Sequence, residues 1–235
     1  MHAKLQMSCL IHIETSAKVC SVALSKDGSV LFNKENYNGG SHAELLGVYV
    51  YEAIQFAKQN GYKLDAVSVS SGPGSYTGLR IGVSEAKGLC YGLDIPLISL
   101  STLDIMASQV IRSGMEADFY CSMIDARRME AYVAIYDKHL NKVKDISSDI
   151  IDSESYSEFI DRGRICFFGD GAAKCQGIIS PAKEVLFIEG VYPLASSMVD
   201  LAEEKYQRKE FVDVAYFEPF YLKEFITTIA KNKII

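Results

Sequence analysis

The sequence predicts an α/β fold made of two duplicated halves, each with a mixed sheet flanked by helices. Residues 13–24 and 124–135 share one pattern, in which a strand ends on an acidic residue, a tight turn follows and a second strand begins. A glycine-containing loop follows an apolar segment in both halves, at residues 70–74 and 167–171. Strands that alternate with helices imply sheets covered on their faces.

The first half is predicted to run as hairpin, third strand, helix, strand, glycine loop, helix, short strand and helix. We expect strands at residues 9–14, 19–25, 30–34, 66–70 and 96–100, and helices at residues 43–59 and 76–91. A further helix follows Ser101, whose hydroxyl is placed to cap it. The second half repeats this order with shorter helices.

The two halves divide near residues 113–114, which predicts an N-terminal lobe at residues 1–113 and a C-terminal lobe with a tail at residues 114–235. Two stacked lobes, each with a hairpin-bearing sheet, are the architecture of actin, Hsp70 and sugar kinases, known as the ASKHA fold. The fold assignment rests on this likeness of topology.

Composition restricts the function classes. At 235 residues and 49% hydrophobic, the chain can fill one large core or two small ones. A net charge of −6 argues against a free-standing nucleic-acid binder, so any RNA would be held mainly by a partner. Six cysteines without a C-x-x-C pair indicate reduced thiols and a cytoplasmic protein. No apolar run is long enough for a membrane span, and residues 1–6 are interpreted as an extension before the first strand.

Glu14 and Asp125 each end the first strand of their half, so both are candidates to face a cleft between the lobes. With Thr15 and Ser16, they would hold a metal bound to nucleotide phosphates. Neither turn has a glycine that would let backbone N–H groups approach a phosphate closely. We therefore favour a structural role, in which the acids bond to turn amides or to the two arginines that follow Asp125.

The segment after the fourth strand is not a Walker loop, because it lacks the Gly-Lys-Ser/Thr ending. Small residues recur at every fourth position of the helix that follows, and they suit close packing on the chain's own sheet or on a partner's helix. The preceding helix is apolar around most of its circumference, which favours a partner. The interface candidates are Leu45, Leu46, Tyr49, Val50, Ala53, Gly78, Gly82 and Ala86. Leu46→Asp or Gly82→Arg is predicted to abolish association and leave the fold intact.

Metal and nucleophile chemistry find no support in the sequence. The four histidines lack ligand spacing, and no G-x-S-x-G elbow or Cys–His pair is present. We predict no catalytic residue and no metal site.

Three segments resemble the bacterial TsaB (YeaZ) family: residues 13–24, 71–82 and 124–132. The motif residues that carry the resemblance are Gly72, Pro73, Gly74, Ser75, Tyr76, Thr77, Arg80, Arg127, Glu130 and Tyr132. Residues 219–223 resemble the family's tail motif, with Lys223 where arginine is usual. Glu14 stands where the family usually has aspartate, which weakens any inherited metal contact.

The resemblance implies a non-catalytic paralogue of TsaD, the ATP-utilising enzyme that transfers threonylcarbamoyl to adenosine 37 of tRNAs reading ANN codons. It implies that the two helices of the first lobe bind TsaD, that the ATPase TsaE joins the complex, and that tRNA is reached only through that complex. The isolated chain is expected to require no cofactor, whereas the complex would allow ATP and Mg²⁺ to bind. The same helices would also allow the chain to form a homodimer when it is alone. The alternatives are an active ATPase or sugar-kinase-like phosphotransferase using Glu14 and Asp125, and a peptidase, which we disfavour.

Overall fold

Two five-stranded sheets with the same strand order organise the chain, whose computed structural model describes residues 8–179 and 184–222. The first sheet, in the order β3-β2-β1-β4-β5, contains β1 (Cys9–Glu14), β2 (Cys20–Lys26), β3 (Ser29–Asn36), β4 (Ala66–Gly72) and β5 (Leu97–Ser101). The second, in the order β8-β7-β6-β9-β10, contains β6 (Phe119–Asp125), β7 (Glu130–Tyr136), β8 (Lys142–Ile150), β9 (Ile165–Phe168) and β10 (Val185–Ile188).

The strand pairing confirms the predicted duplication. In each sheet the first strand of the half pairs antiparallel with the second and parallel with the fourth. Ile13 lies opposite Val22 on one side and Val69 on the other. Each sheet is therefore mixed, and its first strand is central.

The helices differ in length between the halves. The first half has α1 (His42–Gln59), α2 (Tyr76–Leu93) and α3 (Thr102–Arg112), whereas the second has α4 (Ser157–Ile160), α5 (Asp170–Ala173), a 3₁₀ helix (Ala195–Met198) and α6 (Val199–Arg208). As predicted, Ser101 caps α3, and its Oγ accepts from Asp104 N at 3.5 Å. The glycine loop is followed by 18 helical residues in the first half and by 4 in the second.

Both faces of the first sheet are covered. Leu46, Val50 and Val83 of α1 and α2 pack on one face, in a cluster with Ile11 and Val22 of the central strands. Residues of α3, the 3₁₀ helix and α6 cover the opposite face. The helix α3 also contributes Leu103 and Met106 to the core under the second sheet, so it lies between the two sheets.

The end of the described chain returns to the first sheet. Ala195 N donates to Ser21 Oγ of β2 at 2.9 Å, and α6 packs against β5. The predicted boundary places this segment in the second lobe, but it covers the apolar face of the first sheet around Leu10 and Ile98. The division at residues 113–114 stays a prediction about domains.

Within the described ranges, no helix is long and apolar enough to cross a bilayer. Residues 1–6 and Lys223, about which the sequence made predictions, lie outside those ranges.

Candidate functional site

The first hairpin turn is built around a buried carboxylate. Glu14 is fully buried at the end of β1, and its Oε1 accepts from Ser16 N at 2.5 Å and from Ser16 Oγ at 2.6 Å. Its Oε2 is buried without a hydrogen bond of normal geometry within the described residues. Burial raises the pKa of the Glu14 carboxyl to about 7, although the hydrogen bonds from Ser16 lower it. The Glu14 carboxylate therefore stabilises its own turn through its hydrogen bonds with Ser16.

The helix α2 seals this turn from the outside. Thr15 Oγ1 donates to Gly78 O at 2.7 Å, and Ser75 N donates to Ser16 O at 2.6 Å. A Cβ on Gly78 would overlap the carbonyl oxygen of Thr15, and one on Gly82 would overlap the Thr15 hydroxyl. Because the helix sits directly on the turn, no space is left there for a phosphate group.

The second hairpin turn is open. Asp125 at the end of β6 is exposed, with Oδ1 accepting from Arg127 N at 2.8 Å and pairing with the ammonium of Lys174. Asp125 N donates to Asp170 Oδ1 at 2.9 Å. Arg127 and Arg128 both have positive φ and exposed side chains. Backbone N–H groups of the turns therefore donate to both acids, which is the first of the two alternatives in the structural interpretation, and Asp125 also pairs with Lys174.

The four nucleotide-cleft candidates do not line one open pocket. Glu14, Thr15 and Ser16 are buried beneath α2, whereas Asp125 is exposed. In the parts of the chain that the structure describes, no three His, Cys, Asp or Glu side chains are grouped to hold a metal ion.

Most of the interface candidates lie inside the chain's own core, and this corrects the sequence prediction. Three candidates of α1 face the sheet, with Leu46 and Val50 each 2% exposed and Ala53 fully buried. The buried candidates of α2 are Gly78, Gly82 and Ala86, and Leu45 and Tyr49 are half-buried. Leu46→Asp and Gly82→Arg would therefore disrupt the fold itself, so they cannot serve as interface tests.

The outer sides of α1 and α2 form a different surface, which we call the docking face. It consists of Gly47, Val48 and Tyr51 of α1 and Ser84, Gly88, Tyr91 and Gly92 of α2. Val48 is 50% exposed, Tyr51 62% and Tyr91 88%. A Cβ built on any of its three glycines would meet no atom within 4 Å. The face is therefore apolar, smooth and accessible, and on α1 it lies away from the buried residues 46, 50, 53 and 57, which recur at helical spacing.

Residues 211–222, which we call the strap, run along the flank of α2 from its C-terminal to its N-terminal end. Val212 N donates to Leu97 O at 2.9 Å, Lys87 Nζ donates to Phe217 O at 3.0 Å, and Phe220 N donates to Ser71 O at 2.7 Å. Apart from its tail motif, the strap was not predicted, because contacts made by backbone atoms leave no pattern of residue types in the sequence.

The strap explains two motif residues. Gly72 has φ +107°, and a Cβ there would lie 2.7 Å from the carbonyl oxygen of Phe220, so both conformation and space require glycine. The ring of Tyr76 lies against that of Tyr221, with centroids 4.8 Å apart. The strap, the glycine loop and the start of α2 thus form one packed unit.

The remaining motif residues have varied surroundings. Pro73 is buried, Gly74 lies under the carbonyl of Ser16, Ser75 caps α2 by accepting from Gly78 N at 3.2 Å, and Thr77 and Arg80 are exposed. In the second half, Glu130 accepts from Ser148 Oγ at 2.6 Å, and Tyr132 packs at the edge of the core shared with α3.

Two sheets of identical order, with hairpins at equivalent positions and a helix between them, place the molecule in the actin/Hsp70-like (ASKHA) fold class. The first of its two hairpin turns is covered by α2, whereas the second is exposed to solvent.

Residues 37–161 match the model of the TsaD family, tRNA N6-adenosine threonylcarbamoyltransferase. The chain is 29% identical to the tRNA threonylcarbamoyladenosine biosynthesis protein TsaB of Escherichia coli, over 91% of this chain and 94% of that protein. It is 26% identical to TsaB of Haemophilus influenzae, over 95% and 97% of the two chains. The solved structure of YeaZ from Pseudomonas aeruginosa superposes with a TM-score of 0.75 at 26% identity, over 92% of this chain and all of that one. The chain belongs to the TsaD family and, within it, to the TsaB (YeaZ) proteins.

Proposed function

We propose that this chain acts in tRNA threonylcarbamoyladenosine biosynthesis as a non-catalytic scaffold and activator of a TsaD-type enzyme. The observation that carries the proposal is the docking face, an exposed apolar surface on two adjacent helices. Val48, Tyr51 and Tyr91 project from it, and glycines between them allow a partner's backbone to approach closely. A helix from the partner fits such a surface.

The sealed first turn supports the non-catalytic part of the proposal. A phosphate-binding turn presents free backbone N–H groups to its ligand. Here Ser16 N already donates a hydrogen bond to the Glu14 carboxylate. The helix α2 covers the turn at Gly78 and Gly82, so a nucleotide has no access to it. We infer that the chemistry and the ATP belong to the partners, TsaD and TsaE, and that tRNA meets this chain only in their complex.

The interface can be tested with two substitutions on the docking face, Tyr91→Asp and Gly88→Leu. Both positions are exposed, so the fold should persist, while a charge or a bulky side chain disturbs the smooth surface. We expect the affinity for the TsaD-type enzyme, measured by isothermal titration calorimetry, to fall by about tenfold or more. Val143→Asp is the matched control, since Val143 is 42% exposed on the edge strand β8. Equal affinities for all variants would refute the interface.

The activator role can be tested by reconstituted threonylcarbamoyl transfer to tRNA with TsaD, TsaE and the threonylcarbamoyl-adenylate donor, with and without this chain. We expect transfer to require the chain and to survive the double variant Glu14→Gln with Asp125→Asn. Steady ATP turnover by the isolated chain, lost in that variant, would instead support a phosphotransferase.

The same face offers an explanation for a homodimer in the absence of the partner. Sedimentation of the chain alone should then show a dimer that Tyr91→Asp dissociates and that the TsaD-type enzyme displaces.

A further inference from the structure

A groove between α2 and the strap carries positive charge beside the docking face. Its volume is about 320 Å³. Its polar lining comprises Tyr76, Arg80, Ser84, Lys87, Glu218 and Tyr221. Two cations face one carboxylate in this groove, although the whole chain has a net charge of −6.

The guanidinium of Arg80 is held in a defined position. Its Nη1 donates to Tyr76 Oη at 2.9 Å, and its Cζ lies 5.4 Å from the centroid of the Tyr76 ring. The Tyr221 ring supports that of Tyr76 from the strap side. The side chain is nevertheless exposed, and the ion pairs among the described residues do not include it. An oriented guanidinium of this kind binds a carboxylate with little loss of side-chain entropy.

The ammonium of Lys87 is also oriented. It donates to the carbonyl oxygens of Ala215 and Phe217, at 3.0 Å each. Carbonyl groups leave its charge unneutralised, and one of its three N–H donors remains for a ligand. Lys87 therefore adds to the positive potential of the groove and fixes the strap that forms the groove's other wall.

The groove is continuous with the docking face. Arg80, Ser84, Gly88 and Gly92 follow one another at intervals of four residues, so they form a single exposed ridge of α2. A protein that covers Gly88 and Tyr91 therefore passes the mouth of the groove.

We propose that the groove receives an acidic segment of the partner protein that binds the docking face, with a carboxylate of that segment paired to Arg80. This inference rests on the proposed function and assigns the strap to the interface. The pairing fixes the register of the partner along α2 and speeds encounter through charge attraction.

The test is charge reversal, Arg80→Glu, in the full chain, with affinity for the TsaD-type enzyme measured at low and high salt. We expect affinity at low salt to fall by about tenfold or more and its salt dependence to weaken. Arg80→Lys should retain part of the affinity, because a lysine keeps the charge but loses the two-pronged geometry. Lys138→Glu is the control, a charge reversal at an exposed residue of the β7–β8 turn.

The outcomes separate this inference from the proposed function. If Tyr91→Asp weakens binding and Arg80→Glu does not, the acidic segment is ruled out and the docking face stands. If neither weakens binding, both proposals fail. If Arg80→Glu leaves protein affinity unchanged but reduces tRNA retention by the assembled complex on filters, the groove contacts RNA and the inference is overturned.

Discussion

The two hairpin turns occupy equivalent places in duplicated lobes, yet they have opposite environments. Glu14 is fully buried and its turn is covered by the 18-residue helix α2, whereas Asp125 is exposed and α5, the helix that follows the second glycine loop, has only 4 residues. The difference lies in α2, because its Gly78 and Gly82 allow the helix to approach the first turn closely. Two halves with the same topology therefore need not share the same site, because in the first half α2 buries the turn that is exposed in the second.

A methyl group added between α2 and the first turn should force the two apart, and we expect it to have the largest effect on stability. A Cβ at Gly78 would overlap Thr15 O, so Gly78→Ala should lower the free energy of unfolding by about 3 kcal/mol despite the better helix propensity of alanine. Gly88→Ala on the same helix is the control. Its Cβ meets open space, so it should raise stability by about 0.5 to 1 kcal/mol. Urea denaturation measures both, and equal effects would contradict the tight contact.

Replacing the buried Glu14 by a neutral residue should change how the stability of the protein depends on pH. The folded-state pKa of Glu14 is raised from 4.5 to about 7, so burial favours the protonated form. Its contribution to stability is complete below pH 4.5 and is lost as pH rises through 7, by about 3 kcal/mol. Glu14→Gln should therefore exceed the wild type in stability at pH 8 by more than at pH 5, as thermal unfolding at both values would measure. A constant difference would contradict the buried, protonated state.

Removing the exposed carboxylate of Asp125 should have the smallest effect on the free energy of unfolding. Asp125→Ala loses the ion pair with Lys174 and the hydrogen bond from Arg127 N, both at a solvated turn. We expect a loss of about 0.5 to 1 kcal/mol in urea denaturation, reduced at high salt. A loss above about 2 kcal/mol would instead make this turn part of the core, as the first one is.

The fold was predictable because its signals are local. The hairpin pattern, the glycine loops and the Ser101 cap each occupy a few consecutive residues, and the structure confirms all three. The same locality explains the error at α1 and α2. Apolar residues around a helix do not reveal which of them face the sheet until the helix is placed, so Leu46 was assigned outward although it is 2% exposed.

The environment of Glu14 and the strap could not be predicted because they depend on distant parts of the chain. Glu14 is enclosed by α2, more than sixty residues later, and the backbone of the strap bonds to the backbone of β4 and β5 and to the Lys87 side chain of α2. Backbone donors and acceptors are the same for every residue type except proline, so such contacts leave no signature in a single sequence.

The return of the chain to its first sheet has a consequence for synthesis. Val212, Val214 and Phe217 pack against a core whose strands precede them by more than a hundred residues of the chain. A ribosome therefore releases the first sheet well before the residues that complete it exist. Until then, its apolar surface remains open to chaperones and to other nascent chains. We expect premature termination before residue 211 to yield an aggregation-prone product, even though both sheets would already be present in full.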